Sequence, residues 1–318
     1  MSDLVRTVSP PAAFRHEALF YAGDDEFLGA TVPFIAAGLA LDEPVLVVVD
    51  RRKIDALRDA LDGAADEVQF ADMVEVGRNP GRIIPAWREF VTENGSGGRR
   101  LRGIGEPISA DRSTEALVEF HRHESLLNLA FADSPDWWLL CPYDTASLPA
   151  EVVDEARHTH PFLLEGGHHR SSPWAPDLDA ISAPFGHPLP DPPGDTPEFV
   201  FDLGSLAAVR ALVRQVGVEA GFDTSRVADL VLAADEIAAN SIRHGGGGGV
   251  LRTWIDGHTV ICDIRDTGRF DAPLAGRSRP TAGQIGGHGL WLANQLCELV
   301  QIRATKDGTI VRLHVERF

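Results

Sequence analysis

ADEIAANSIRHGGGGG (residues 234–249) runs a polar-flecked helical pattern into five consecutive glycines, and its reading decides what the second half of the chain is. Glu236 and Asn240 are four residues apart, so at about 100° per residue they share one helical face. Val227, Leu230, Ala234, Ile237 and Ser241 fall on a neighbouring stripe suited to packing on a core. The two polar side chains therefore sit at the margin of the buried face, aimed at whatever covers it. An exposed helix with a floppy turn carries the same pattern, so the flanking sequence has to separate the two readings.

Working outward, EFVFDL reads as a strand and SLAAVRALVRQVGVEAG as a helix capped by Ser205, with the next helix starting at Thr224 or Ser225. VLRTWID and TVICDIRDTG alternate like a hairpin turning at Asp256-Gly257. A Gly/Pro-rich stretch, 268–289, leads into the helix LWLANQLCEL, and VQIRAT and TIVRLHVE close the chain around Asp307-Gly308. The expectation is an α/β sandwich, one mixed sheet with helices on one face. Four features follow in order: Glu236 with Asn240, DTG at 266–268, GGHGL at 286–290, and DGT ending at Thr309. Asn240 offers an oxygen for Mg²⁺, a hard cation shared between a few protein oxygens and phosphates. Glu236 can take a proton from an attacking hydroxyl. Asp266, ending a buried strand, can accept adenine's amine hydrogens, and Gly268 lets the base approach the backbone. Gly287 and Gly289 precede a helix start, where free amides and the helix dipole favour phosphate. Thr309 can hydrogen-bond near the base. Each element alone is common; their joint order is specific.

Residues 198–318 resemble the ATPase domain of the gyrase, histidine kinase and MutL superfamily, the Bergerat fold, and most closely its anti-sigma-factor serine kinase (RsbW-like) branch. ADEIAANSIRHG is similar to that family's N-box, DIRDTGRFDAP to its first glycine box, GGHGLWLANQLCELVQI to the second and KDGTIVRLHV to the closing strand pair. The resemblance implies that Glu236 is the general base, that Asn240 holds Mg²⁺ and that Asp266 binds adenine. It also implies ATP as cofactor, and as partners a sigma factor and an anti-sigma-factor antagonist whose serine receives the γ-phosphoryl group. It leaves room for a homodimer. The alternative is a switch that sequesters its partner without catalysis, with nucleotide held statically or lost. The family's Asp-x-Gly-x-Gly becomes Asp-Thr-Gly-Arg-Phe here, with Phe270 at the last glycine position. Gly245 suits a left-handed helix end, and the remaining glycines read as a flexible loop.

Ahead of Glu198, residues 171–197 are dense in proline and small polar residues and read as a linker. Residues 14–170, after a tail of 13 residues, alternate helical and strand patterns: a helix over Asp24 to Leu41, a buried strand in PVLVVVD, the helix RRKIDALRDALDG closed by Gly63, then EVQFAD, GRIIPAWREFVTENG, RLRGIGEP, TEALVEFHRHESLLNLAF, WWLLCPYD and PAEVVDEARHTHP. That alternation predicts a mostly parallel sheet with helices on both faces, a RecA-like α/β/α unit. Strand ends would gather Asp50, Asp72, Glu106 and Asp144. No Gly-x-x-x-x-Gly-Lys-Ser/Thr is present, which excludes a standard P-loop. FRHEALFYAGDDEFLGATVPFIAAGLALDEPVLVVV and CPYDTASLPAEVVDEARHTHP resemble the MEDS sensory domain of bacterial regulators. This implies an input site for a small-molecule signal, for which His16, Tyr21, Glu106, Cys141, Tyr143 and Asp144 are the candidates. The other histidines, His121, His123, His158, His160, His168 and His169, lack the spacing of a zinc site with a second ligand pair.

The 318 residues suffice for two cores, and no run reaches the roughly 20 apolar residues of a membrane span. The start, MSDLVRTVSPPAAFRHE, lacks a signal-peptide apolar region. Three scattered cysteines suit a reducing compartment, so a cytoplasmic protein without a membrane partner is expected. A net charge of −18 argues against direct nucleic-acid binding and fits a basic protein partner.

Overall fold

A computed structural model describes residues 14–96, 98–174, 188–281 and 287–317. The run Val45–Val49 (β2) sits inside the first sheet with all five residues buried, as a strand covered on both faces requires. It is joined by β1 (Phe14–Tyr21), β3 (Gln69–Asp72), β4 (Leu101–Gly105), β5 (Trp137–Asp144), β6 (Phe162–Glu165) and β7 (His168–Ser171), in the order β3-β2-β4-β5-β1-β6-β7. All pairings are parallel except the hairpin β6–β7. Helices α1 (Gly23–Leu39) and α2 (Arg51–Leu61) cover one face through Phe27, Ile35, Ile54 and Leu57. After a single turn, α3 (Met73–Val76), the helices α4 (Ile83–Asn94), α5 (Thr114–Ala130) and α6 (Ala150–Thr159) cover the other through Trp87, Phe120 and Val153.

Three strands, β1, β6 and β7, are missing from the sequence pattern, and in two of them polar residues break or replace the apolar period. β1 carries Arg15 and Glu17, which interrupt its apolar run. Glu17 is nonetheless fully buried and accepts from Arg15 (2.9 Å), Trp138 Nε1 (2.9 Å) and His169 Nδ1 (2.8 Å). β7 is an exposed edge of polar residues, so it has no hydrophobic period to read. It reaches Ser171, inside the stretch expected to be linker; residues 175–187 of that stretch lie outside the described residues.

The second sheet contains β8 (Glu198–Asp202), β9 (Gly248–Asp256), β10 (Thr259–Asp266), β11 (Leu299–Thr305) and β12 (Gly308–Glu316), ordered β11-β12-β10-β9-β8. Every pairing is antiparallel, where a mixed sheet was expected: two hairpins lie side by side, with β12 running against β10. Helices α7 (Leu206–Glu219), α8 (Thr224–His244) and α9 (His288–Leu296) pack on one face, burying Val213, Leu230, Ile237 and Ala293 against Cys262, Ile264 and Leu313. Asp223 caps α8, its side chain accepting from Arg226 N at 2.8 Å.

The opposite face of this sheet is polar yet buried, because it meets the first unit. Asp263 accepts from Arg312 Nη2 at 2.8 Å. Arg303 of β11 pairs with Glu119 of α5 at 2.7 Å, each side chain 3% exposed. Arg122 also pairs with Glu119 (3.2 Å) and reaches Ile302 O (3.4 Å). A second contact joins Asn79 Nδ2 to Cys297 O (3.0 Å) and Arg78 to Gln295 O (3.2 Å). Removing one partner of a buried ion pair leaves the other charge uncompensated. Glu119→Ala is therefore expected to lower stability by about 3–5 kcal/mol, read by chemical denaturation of the full chain; a loss within experimental error would contradict this account of the contact.

Candidate functional site

Glu236 and Asn240 lie half-buried on one side of α8, directly beneath the start of α9. The closeness is measurable at Gly289: a Cβ there would stand 2.8 Å from Asn240 Nδ2 and 3.0 Å from Glu236 Oε2. A larger residue at this position would have to displace those two side-chain ends, so glycine keeps the first turn of α9 close to them. The N-cap of α9, Gly287, is left-handed (φ 80°) and makes no side-chain capping bond. Gly287 thus offers no side chain to the leading amides of α9, which stand next to a carboxylate and an amide, an arrangement that suits an anion with a bound cation. Asn240 Oδ1 accepts from Arg243 Nη2 at 2.9 Å, so a cation at Asn240 competes with that guanidinium.

Asp266, at the end of β10, is held at both oxygens. Oδ2 accepts from Ser241 Oγ (2.6 Å) and Oδ1 from Gly268 N (2.8 Å), leaving each oxygen further capacity to accept. Thr309 Oγ1 donates to Gly268 O at 2.8 Å, tying β12 to the same turn. Cβ atoms at Gly245 and Gly308 would overlap Asp266, and one at Gly268 would lie 2.6 Å from His244 O. The crowding is against the Asp266 carboxylate at Gly245, against the Asp266 backbone carbonyl at Gly308 and against the end of α8 at Gly268. Ser241, read from sequence as a core-stripe residue, orients Asp266. A serine one residue past Asn240 on the same helix was the available signal.

The glycine run resolves differently from its sequence reading. Gly245 has φ −98° and is not left-handed; Gly246 and Gly247 are, at φ 95° and 98°. Gly248 and Gly249 already pair in β9 with Asp202 and Phe201, so the loop is shorter than the run. Gly249 needs its lack of Cβ because Phe201 covers it, within 2.8 Å of where a Cβ would stand. Beyond Gly268, the segment leading to α9 is tied to the first unit. Leu274 packs on its core, Arg277 donates to Pro80 O (3.0 Å), Arg88 donates to Ser278, and Arg279 faces Glu89 at 3.8 Å.

The six candidates in the first unit do not share one pocket. Side chains alternate across a sheet, and Tyr21 faces α1 and α2 while His16, Cys141 and Tyr143 face α5 and α6. Tyr21 OH donates to Glu106 (2.5 Å), and Lys53 Nζ donates to Tyr21 OH (2.7 Å) and Glu106 (2.5 Å). Lys53 was not singled out from sequence; its place in the first turn after β2 was the clue. Burial, then the Glu106 charge, pushes the Tyr21 hydroxyl up, and burial raises Glu106 against the pull of Lys53. Of the strand-end carboxylates, Asp50 caps α2 through Lys53 N (2.9 Å), Asp72 caps α3 through Val74 N (2.9 Å), and Asp144 accepts from Ala146 N (3.0 Å). Asp50 and Glu106 therefore meet at Lys53, while Asp72 and Asp144 serve their turns. The Lys53 cluster lines a cleft of about 1030 Å³ between the units, closed on the other side by Trp254, Gln301, Arg312 and His314.

Residues 15–161 match the family described as MEDS: MEthanogen/methylotroph, DcmR Sensory domain, and residues 199–315 match the histidine kinase-like ATPase domain. The chain joins a MEDS domain to a histidine kinase-like ATPase domain. None of the curated proteins matches it. Among solved structures, the RsbU and RsbW domains of Rv1364c from Mycobacterium tuberculosis are 25% identical over 39% of this chain and 34% of that one, with a TM-score of 0.29. The chain thus spans about a third of that structure's length. Acinetobacter baumannii histidine kinase AdeS is 14% identical over 38% of this chain and 68% of its own, with a TM-score of 0.21. No helix among the described residues is long and apolar enough to cross a membrane.

His314 supplies a pH signature for the cleft. Burial, and then the neighbouring Arg312 charge, push it down to about 4. The unfolded chain takes up this proton near pH 6.5 and the folded chain only near 4, so stability is full above pH 6.5 and declines between 6.5 and 4. The loss is about 3 kcal/mol at most. His314→Gln is expected to flatten the denaturation profile in that window; an unchanged slope would refute the assignment.

Proposed function

We propose that this protein is an ATP-dependent anti-sigma regulatory factor. Its histidine kinase-like ATPase domain binds ATP with Mg²⁺ and phosphorylates a serine of an anti-sigma-factor antagonist, under control of the MEDS domain. The observation that carries the reading is the close approach of the first turn of α9, at Gly289, to the side chains of Glu236 and Asn240. When bound, ATP supplies the phosphoryl group to be transferred. Asn240 would hold the cation once Arg243 releases it, the leading amides of α9 would receive phosphate oxygens, and Asp266 would accept from the adenine amine. Glu236 takes the proton from the serine hydroxyl as its oxygen bonds to the γ-phosphorus and the bond to the β-phosphate oxygen breaks. Positioning and charge stabilisation account for most of the rate.

A second reading is favoured by a specific set of contacts. The segment between the two glycine boxes is held on the MEDS domain by Arg277 and Arg88, and Phe270 replaces a family glycine. A site whose covering segment is held elsewhere suits a switch that sequesters a partner without turnover.

Two measurements separate these. Calorimetric titration of ATP-Mg²⁺ into the full chain is expected to show binding that weakens at least tenfold in Asn240→Ala and Asp266→Ala; no binding in the parent would remove nucleotide from both readings except the form that has lost it. Incubation with ATP and the cognate antagonist is expected to give phosphoserine, abolished in Glu236→Ala. Tight binding without transfer would establish the switch in place of the kinase.

A further inference from the structure

The α5/α6 side of the MEDS domain holds a cluster that neither the nucleotide site nor the cleft uses. His16 of β1, Glu124 of α5, Cys141 of β5 and His160 at the end of α6 converge there, and none is more than 2% exposed. His16 Nε2 stands 3.2 Å from Glu124 Oε2 and 3.4 Å from Cys141 Sγ, and His160 Nε2 stands 3.3 Å from the same carboxylate oxygen. One donor atom from each residue falls within 4.8 Å of all the others.

The protons of both imidazoles are placed by their outer partners. Asn128 Nδ2 donates to Thr159 O (2.8 Å), which turns Oδ1 towards His16 Nδ1 at 3.1 Å. That oxygen only accepts, so His16 carries its proton on Nδ1. His160 Nδ1 lies 2.8 Å from Ala156 O, again a pure acceptor, so its proton is also on Nδ1. The Thr159 hydroxyl, 3.0 Å from the same nitrogen, has backbone acceptors of its own at Ala156 O (3.3 Å) and Glu155 O (3.4 Å). Each Nε2 therefore presents a lone pair to the Glu124 carboxylate. Facing acceptors repel unless a cation lies among them. Among the described residues Glu124 Oε1 has no hydrogen-bond partner, and the two imidazole rings lie with centroids 4.0 Å apart, tilted by 39°, a proximity that two imidazolium charges would oppose.

We propose that His16, Glu124, Cys141 and His160 bind one divalent transition-metal ion of the zinc class. Bonds of 2.0–2.3 Å in a tetrahedron imply donor–donor edges of about 3.3–3.7 Å, and the observed separations of 3.2, 3.3 and 3.4 Å sit at that scale. A thiolate, a carboxylate, two neutral imidazoles and a divalent ion sum to zero charge, the condition for full burial. A histidine Nδ1–H fixed by an amide or a backbone carbonyl is the outer support that metal-bound imidazoles use. The ligands come singly from four elements, so linear spacing carries no zinc signature. Glu124 also lies on α5, five residues beyond Glu119, so the ion and the contact to Arg303 share one helix.

The test uses the full chain produced in zinc-containing and in cobalt-supplemented minimal medium. Elemental analysis is expected to find one equivalent of zinc or cobalt per chain. The cobalt form is expected to show a sulfur-to-cobalt charge-transfer band and intense tetrahedral d–d bands. Cys141→Ser is expected to abolish the charge-transfer band and lower bound metal at least tenfold, while Cys262→Ser changes neither. No bound metal, a cobalt spectrum without the sulfur band, or a band indifferent to Cys141→Ser would overturn the proposal. If Cys141→Ser fails to fold, His16→Gln takes its place, and retention of the full tetrahedral spectrum there would overturn it equally.

Discussion

The ion pair between Arg303 and Glu119 is the constraint around which the two domains are arranged. A guanidinium and a carboxylate taken out of water are costly unless they meet with good geometry, and each is useful here only because the other domain supplies its partner. The second sheet can therefore carry Asp263, Gln301, Arg303 and Arg312 on a buried face. Its helices are confined to the other face, and there α9 approaches Glu236 and Asn240 of α8. The polar face turned to the MEDS domain leaves a cleft lined by Lys53 and Glu106 on one side and by Arg312 and His314 on the other.

Within the ATPase domain the local organiser is Asp266. Its two oxygens bind Ser241 and Gly268, and its surroundings exclude any side chain at Gly245 and Gly308. Glycine is demanded at these points by contact, and at Gly246 and Gly247 by backbone angle. The segment after Gly268 then crosses to the MEDS domain through Leu274 and Arg277 and forms an interdomain contact. The two domains thus share this segment as a contact.

Much of the architecture was legible because burial imposes period. Val45–Val49 reads as a two-sided strand, and α8 reads as a helix with Glu236 and Asn240 at the edge of its apolar stripe. Where polar groups are buried, the period breaks: β1 conceals Glu17 behind three donors, and β7 is a polar edge. The six residues expected to line one ligand pocket separate onto two faces because adjacent strand residues point in opposite directions. Tyr21 and Cys141 lie on neighbouring strands, yet they serve different clusters.

What the sequence determined by itself was the succession of elements and the ordered motifs at Glu236, Asp266, Gly289 and Thr309, since both are written in local spacing. The tertiary structure alone decided that Lys53 joins Glu106, that Glu119 joins Arg303, and that His16, Glu124, Cys141 and His160 meet. Those contacts span separations along the chain that no local period encodes. The last of them follows from strand order, which places β1 beside β5 and lays α5 over both.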